Sequence, residues 1–108
     1  MTKVGEHITL DIIGTTKEYD PSVFEKVIYD IAKAANVTIL KISKYKFEPQ
    51  GFTILALLAE SHISFHTFPE KNFISFDFFT CGKINPSVAV EIIKKEFEHT
   101  RIVKKEFN

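Results

Sequence analysis

The 108-residue chain has no tryptophan, a single cysteine, and only four glycines and four prolines. One cysteine, Cys81, excludes an internal disulfide and a multi-cysteine zinc site and suits a reducing compartment, so a cytoplasmic location is expected. Excess charge of either sign is also missing: lysine plus arginine and aspartate plus glutamate each number 14. Without a basic excess there is no electrostatic footprint for a phosphate backbone, and nucleic acid is not expected as a partner. No segment approaches the ~20 apolar residues of a membrane span, and residues 1 to 14 hold no apolar run of signal length, so no membrane association is expected.

What is present is a chain that is 44% hydrophobic with eleven phenylalanines. That composition describes an ordinary soluble core rich in aromatic area and excludes disorder. The length fits a single domain over residues 1–108, close to the size at which burial through oligomerisation adds stability.

Residues 7 to 13 (HITLDII) read as a strand ended by Gly14. Asp20 can cap a first helix and Pro21 fits its first turn, with Phe24, Val27, Ile28, Ile31 and Ala35 recurring at helical spacing up to Asn36. Residues 37 to 47 and 52 to 59, joined by EPQG, read as a hairpin; further strands are expected near 62 to 67 and over 73 to 79. Asn85-Pro86 repeats the helix-start signal, predicting a helix over 86 to 98, and residues 100 to 107 a closing strand.

The segments ITLDII and DPSV, starting at residues 8 and 20, are echoed by ISFDFF and NPSV, starting at 74 and 85. Both copies place an aspartate, Asp11 or Asp77, inside an apolar strand before a proline-started helix, and a spacing of about 65 residues is too long for a solenoid. An internal duplication is expected; coincidence between two similar strand-helix units is the competing explanation. The expected fold class is α+β, a two-layer sandwich of an antiparallel sheet with two helices on one face. The uncovered face would be closed most economically by homodimerisation.

The densest collection of reactive side chains is LLAESHISFHTFPE, residues 57 to 70, followed by FFTCG at 78 to 82. Serine or cysteine with histidine is the usual activated-nucleophile pair. A hydrolase is nevertheless a weak reading, because there is no G-x-S-x-G elbow and Cys81 lacks the surroundings of the common cysteine proteases. Strand alternation sets His62, Ser64, His66 and Phe68 on one face and Ser61 on the other, so a bend, bulge or turn is expected at the Glu60-Ser61 junction. Alone, a buried cysteine is usually a small hydrophobe and a strand histidine usually a satisfied structural residue. His99 reads as a surface residue, and no histidine metal cluster is supported.

ESHISFHTFPE followed by FDFFTCG resembles the processing and active-site segments of the prokaryotic S-adenosylmethionine decarboxylases. The likeness extends to Gly5-Glu6-His7, to KFEPQG at 46 to 51, and to the length and element order. It implies an inactive precursor cut between Glu60 and Ser61 into a β chain, 1–60, and an α chain, 61–108. In that chemistry the Ser61 hydroxyl attacks the Glu60 carbonyl to form an ester. The ester eliminates, and the resulting dehydroalanine hydrolyses to a covalent pyruvoyl group. Its ketone can condense with a substrate amine as a Schiff base and accept the electrons left when carbon dioxide departs. Two acid/base groups are then needed, and the resemblance assigns them to His66, which can take the serine α-proton, and Cys81, which can donate to the carbanion. Cys81 falls at the family spacing, 20 positions after Ser61.

The resemblance also implies adenine stacking by Phe47 and Phe68, ribose binding by Glu70, and assistance to processing by the Thr53 hydroxyl. Each phenylalanine could instead be core and Glu70 merely solvated. The chain departs from the family in having Phe68 where tryptophan is usual and Gly51-Phe52-Thr53-Ile54 where a GVSG-like segment is usual. Phe68 would cover less of an adenine ring, and the extra methyl of Thr53 restricts its rotamers. The implied activity is decarboxylation of S-adenosylmethionine, whose product is the aminopropyl donor for spermidine synthesis, by a homodimer of cleaved protomers. The departures leave open a pyruvoyl-dependent decarboxylase of ornithine or arginine, or a non-processing relative with a binding or regulatory role.

Overall fold

A computed structural model describes residues 5–81 and 84–107. Its strands are β1 (Gly5–Ile13), β2 (Ile39–Lys46), β3 (Phe52–Leu58), β4 (Ser61–Phe68), β5 (Phe73–Cys81) and β6 (Arg101–Phe107). The helices are α1 (Pro21–Ala35), between β1 and β2, and α2 (Val88–Glu96), between β5 and β6; a 3-10 turn, Pro69–Lys71, separates β4 from β5. All six strands form one sheet in the order β2-β3-β4-β5-β1-β6, and every neighbouring pair is antiparallel.

Period-2 alternation along the strands decides which face is covered. Ile8, Leu10 and Ile12 of β1, Ile54, Ala56 and Leu58 of β3, Ile63 and Phe65 of β4, and Ile74, Phe76 and Phe78 of β5 are all buried. They meet Phe24, Val27, Ile28 and Ile31 of α1, with Ala89 and Ile93 of α2 and the adjoining Phe97, in one core. The expected α+β two-layer arrangement with both helices on one face is therefore present.

Asp20 caps α1 by accepting from the Ser22 backbone N–H at 3.1 Å, and Asn36 closes it in the left-handed region. The second helix begins later than its proline signal predicts. Asn85 Oδ1 does accept from Ser87 N at 3.0 Å. The next amides, however, reach back only three residues, Ala89 N to Pro86 O and Val90 N to Ser87 O, both at 3.1 Å. Residues 85–87 are thus a turn, and α2 proper spans Val88–Glu96.

The echoed segments pair with each other inside the sheet, as β1 and β5. Leu10 pairs with Phe76, its own counterpart in the echo, while Asp11 pairs with Ser75 and Thr9 with Asp77. The β1/β5 pair accordingly has a local two-fold axis through the Leu10–Phe76 pair. The strands that follow the two helices lie at opposite edges of the sheet, β2 at one and β6 at the other.

Candidate functional site

The hairpin β3-β4 places Ser61. Leu58 pairs with Ser61, leaving Ala59 and Glu60 as a two-residue loop, and Glu60 has φ +63. The junction expected to bend is therefore a tight turn. Ser61 opens β4 with its side chain on the helix-covered side, 6% exposed, and its Oγ is buried without a hydrogen-bond partner among the described residues. An unpaired buried hydroxyl is costly. Here it stands directly after the Glu60 backbone carbonyl.

Cys81 ends β5, half-buried, on the face away from the helices. Phe79 pairs with His62, so Cys81, two residues further on, lies beside the Glu60 turn. The core-facing Thr80 between them is fully buried; its hydroxyl donates to Ile84 O at 3.1 Å and lies 3.5 Å from Glu6 O. Gly82 of the FTCG segment lies outside the described residues.

On the same open face, His62, Phe79, His7 and Phe107 form a row across β4, β5, β1 and β6. His62 stacks on Phe79 with centroids 5.9 Å apart and planes at 18°. His7 Nε2 is 2.5 Å from Asp77 Oδ1, and His62 Nε2 is 3.7 Å from the same oxygen. This His7–Asp77–His62 cluster was not assigned a role from sequence: His7 and Asp77 are 70 positions apart and are brought together only by the β1/β5 register.

The remaining candidates gather at the far end of β4. His66 pairs across with Thr53, and Thr53 Oγ1 is 2.8 Å from His66 Nδ1. Phe47 and Phe68 are both exposed; Phe47 packs on Tyr45 at 4.9 Å and Phe68 on Phe73 at 5.7 Å. Glu70 Oε1 accepts from Gln50 Nε2 at 3.4 Å. Five residues of extended chain separate Ser61 from His66, about 16 Å at strand rise, and alternation puts their side chains on opposite faces.

The candidates thus fall into two groups within one chain. Glu60, Ser61 and Cys81 stand at one end of the sheet; Thr53, His66, Phe47, Phe68 and Glu70 stand at the other. A cleft of about 750 Å³ lies beside the second group but on the helix side, lined among others by Thr15, Asp20, Lys46, Gly51, Phe52 and Thr67. It contains neither Ser61 nor His66 nor Cys81. Among the described residues no cluster of three or more histidine, cysteine or acidic side chains is arranged for a metal ion.

A sequence profile of S-adenosylmethionine decarboxylase matches residues 6–108. The S-adenosylmethionine decarboxylase proenzyme of Methanococcus maripaludis is 37% identical over 105 residues, covering 94% of this chain and 86% of that one. Its counterpart from Prochlorococcus marinus is 42% identical over 96 residues, covering 86% and 77%. The crystal structure of the adenosylmethionine decarboxylase of Aquifex aeolicus superposes with a TM-score of 0.84 at 32% identity, over 99% of this chain and 91% of that one. A Trypanosoma brucei AdoMetDC monomer, 17% identical with a TM-score of 0.65, shares the fold over 92% of this chain and 44% of its own. A profile match that runs from Glu6 to the last residue, with relatives of similar length at this identity, places the chain in the S-adenosylmethionine decarboxylase family.

Proposed function

We propose that the chain is a proenzyme that cuts itself between Glu60 and Ser61, acquires a pyruvoyl group from Ser61, and decarboxylates S-adenosylmethionine to supply an aminopropyl donor for spermidine synthesis. The observation that carries this reading is the Ser61 hydroxyl: buried, without a hydrogen-bond partner among the described residues, and next to a carbonyl held in a tight turn. A serine kept for structure would have its hydroxyl satisfied at that depth. One left unpaired beside the preceding carbonyl keeps its lone pairs for attack, with burial excluding water that would otherwise solvate it.

The residues present fit a pyruvoyl group formed in place at position 61. That group supplies an electron sink for a substrate amine losing carbon dioxide. In this reading Cys81, beside the turn on the open face, holds the proton that the substrate carbon takes up after carbon dioxide leaves. Thr53 engages His66 Nδ1 and so leaves Nε2 for proton transfer.

His66 cannot reach Ser61 of its own chain across about 16 Å of strand. Its action on Ser61 therefore requires a second copy, with the two open sheet faces together and the Phe47, Phe68, Glu70 group brought over the partner's Ser61 in the same way. The homodimer is in this reading part of the active site.

The test is an intact-mass spectrum of freshly purified protein beside a Ser61→Ala control. Two fragments from the wild type, 1–60 and a pyruvoyl-bearing 61–108, are the expected result, with release of carbon dioxide from S-adenosylmethionine by the cleaved protein. A chain that stays intact removes the self-processing reading, and cleaved protein without that turnover removes the substrate.

A further inference from the structure

Five described residues have positive φ: Gly14, Gly51, Asn36, Asn72 and Glu60. Four are of the two residue types that enter the left-handed region at little cost, and both asparagines do so as helix or 3-10 caps. Glu60 alone is of a type that pays the full steric penalty between Cβ and the backbone. It occupies the second position of the two-residue loop between Leu58 and Ser61, with Ala59 not in the positive region. This is the pattern of a type II turn, in which that position is normally glycine.

The surroundings prevent Glu60 from relaxing. Leu58, before the loop, is 1% exposed and locked in the core, and Ser61, after it, is 6% exposed. Ala59 N donates to Thr38 O at 3.0 Å, tying the loop to the chain entering β2. The β3/β4 ladder continues without irregularity from Leu58–Ser61 to Thr53–His66. A left-handed glutamate survives because both flanks over-determine it.

We propose that the left-handed conformation of Glu60 is functional strain that promotes self-cleavage, making Glu60 a positioning residue through its backbone rather than its carboxylate. The inference rests on the processing reading above. In the first step the Ser61 Oγ forms a bond to the Glu60 carbonyl carbon, the Glu60-Ser61 amide bond breaks, and the hydroxyl proton ends on the released nitrogen. That exchange gives up amide resonance for an ester and is uphill for an unstrained peptide. Raising the energy of the amide side offsets part of the climb. The strain is relieved as that amide bond breaks, because residue 60 is then joined through the Ser61 side chain and the turn no longer fixes its φ; elimination, which frees the α-carboxylate of residue 60, makes the loss irreversible.

The experiment compares Glu60→Gln, Glu60→Asn and Glu60→Gly, all lacking the carboxylate, so that differences among them report on the backbone. Cleavage is followed by mass spectrometry after synthesis. The stability of the corresponding uncleaved chains is measured by urea unfolding in a Ser61→Ala background. Glycine should cleave about tenfold more slowly than glutamine, the rate equivalent of the left-handed penalty, with asparagine between. The urea midpoints should run in the reverse order, glycine highest. Cleavage of Glu60→Gly as fast as Glu60→Gln, or equal midpoints for the two, overturns the strain proposal while leaving self-processing intact. A wild-type chain that never cleaves overturns both, and is told apart because no variant comparison is then needed.

Discussion

At the scale of single residues the chemistry depends on which side-chain atoms are left unpaired and which are held. Thr53 Oγ1 and His66 Nδ1 are hydrogen-bond partners, 2.8 Å apart. Thr53→Val should free the ring to turn and slow cleavage about tenfold, the rate equivalent of one lost hydrogen bond. Thr53→Ser keeps the hydroxyl, drops the methyl that restricts its rotamers, and should cleave at least as fast as wild type. The time course of fragment appearance for the three proteins checks both statements; equal rates for valine and threonine would remove Thr53 from processing. Much of this was legible in the chain. Alternation alone set Ser61 and His66 on opposite faces and led to the expectation of a bend, bulge or turn at the Glu60-Ser61 junction, which is the two-residue turn of the β3-β4 hairpin. The His7–Asp77–His62 cluster was not legible, since nothing local in a strand histidine says which residue of a distant strand will pair beside it. Nor does any local signal mark Glu60 as left-handed: glutamate is a poor occupant of such a position, and only the short β3-β4 connection imposes it.

At the scale of elements, two loops and the aromatic core set the rigidity on which the site depends. The β1-α1 loop is clasped by Glu98, whose carboxylate accepts from Thr16 N, Thr16 Oγ1 and Lys17 N at 2.8–3.0 Å. Glu98 N in turn donates to the Tyr19 hydroxyl oxygen at 2.8 Å. These hydrogen bonds, led by the Thr16 hydroxyl, hold the Glu98 carboxyl below its ordinary pKa. A folded-state pKa below the unfolded one gives stability that is present above the unfolded value and is lost as pH falls through the folded one. Glu98→Ala should therefore lower the melting temperature at pH 7, and the gap to wild type should close as the pH drops below the ordinary glutamate value of about 4.3. Thermal melts of both proteins from pH 7 to pH 3 check this, and a gap independent of pH would mean that Glu98 acts by packing alone. Beneath the loop, Phe24 meets Tyr19, Phe52, Phe65 and Phe97 at 4.9–6.4 Å and is 1% exposed. Phe24→Ala should cost about 3–5 kcal/mol in urea unfolding of the Ser61→Ala chain, as truncating a buried phenylalanine does. The helices and strands themselves followed from periodicity and caps; the start of α2 did not, because Asn85-Pro86 opens a turn of three-residue hydrogen bonds before the helix settles at Val88.

At the scale of the whole molecule the sheet has one face under helices and one face open, and the open face carries Leu55, Leu57 and Phe107, each 45–52% exposed. It also carries His62, His66, Asp77 and Cys81. A lone domain of this size gains from covering such apolar area, and in the proposed reading a second copy also supplies reach. Ser61 and His66 sit about 16 Å apart along one strand, with the Thr53–His66 pair and the Glu60 turn at opposite ends of the β3-β4 hairpin. Two chains that face each other around a two-fold axis can bring one chain's His66 end over the other's Ser61 end, twice per dimer. Complementation between inactive chains decides the point. In the proposed reading a Ser61→Ala chain lacks the nucleophile but keeps His66; a His66→Ala chain is the reverse. Expressed separately, neither should cleave. Expressed together with distinguishable tags, they should form mixed dimers in which the His66→Ala chain, and only that chain, is cut, because it alone retains Ser61 and now receives His66 from its partner. The fragment 61–108 bearing the alanine at position 66 identifies it by mass. If His66 acted within its own chain, no mixture could restore the cut, and the absence of that fragment from co-purified mixed dimers would return the site to a single protomer.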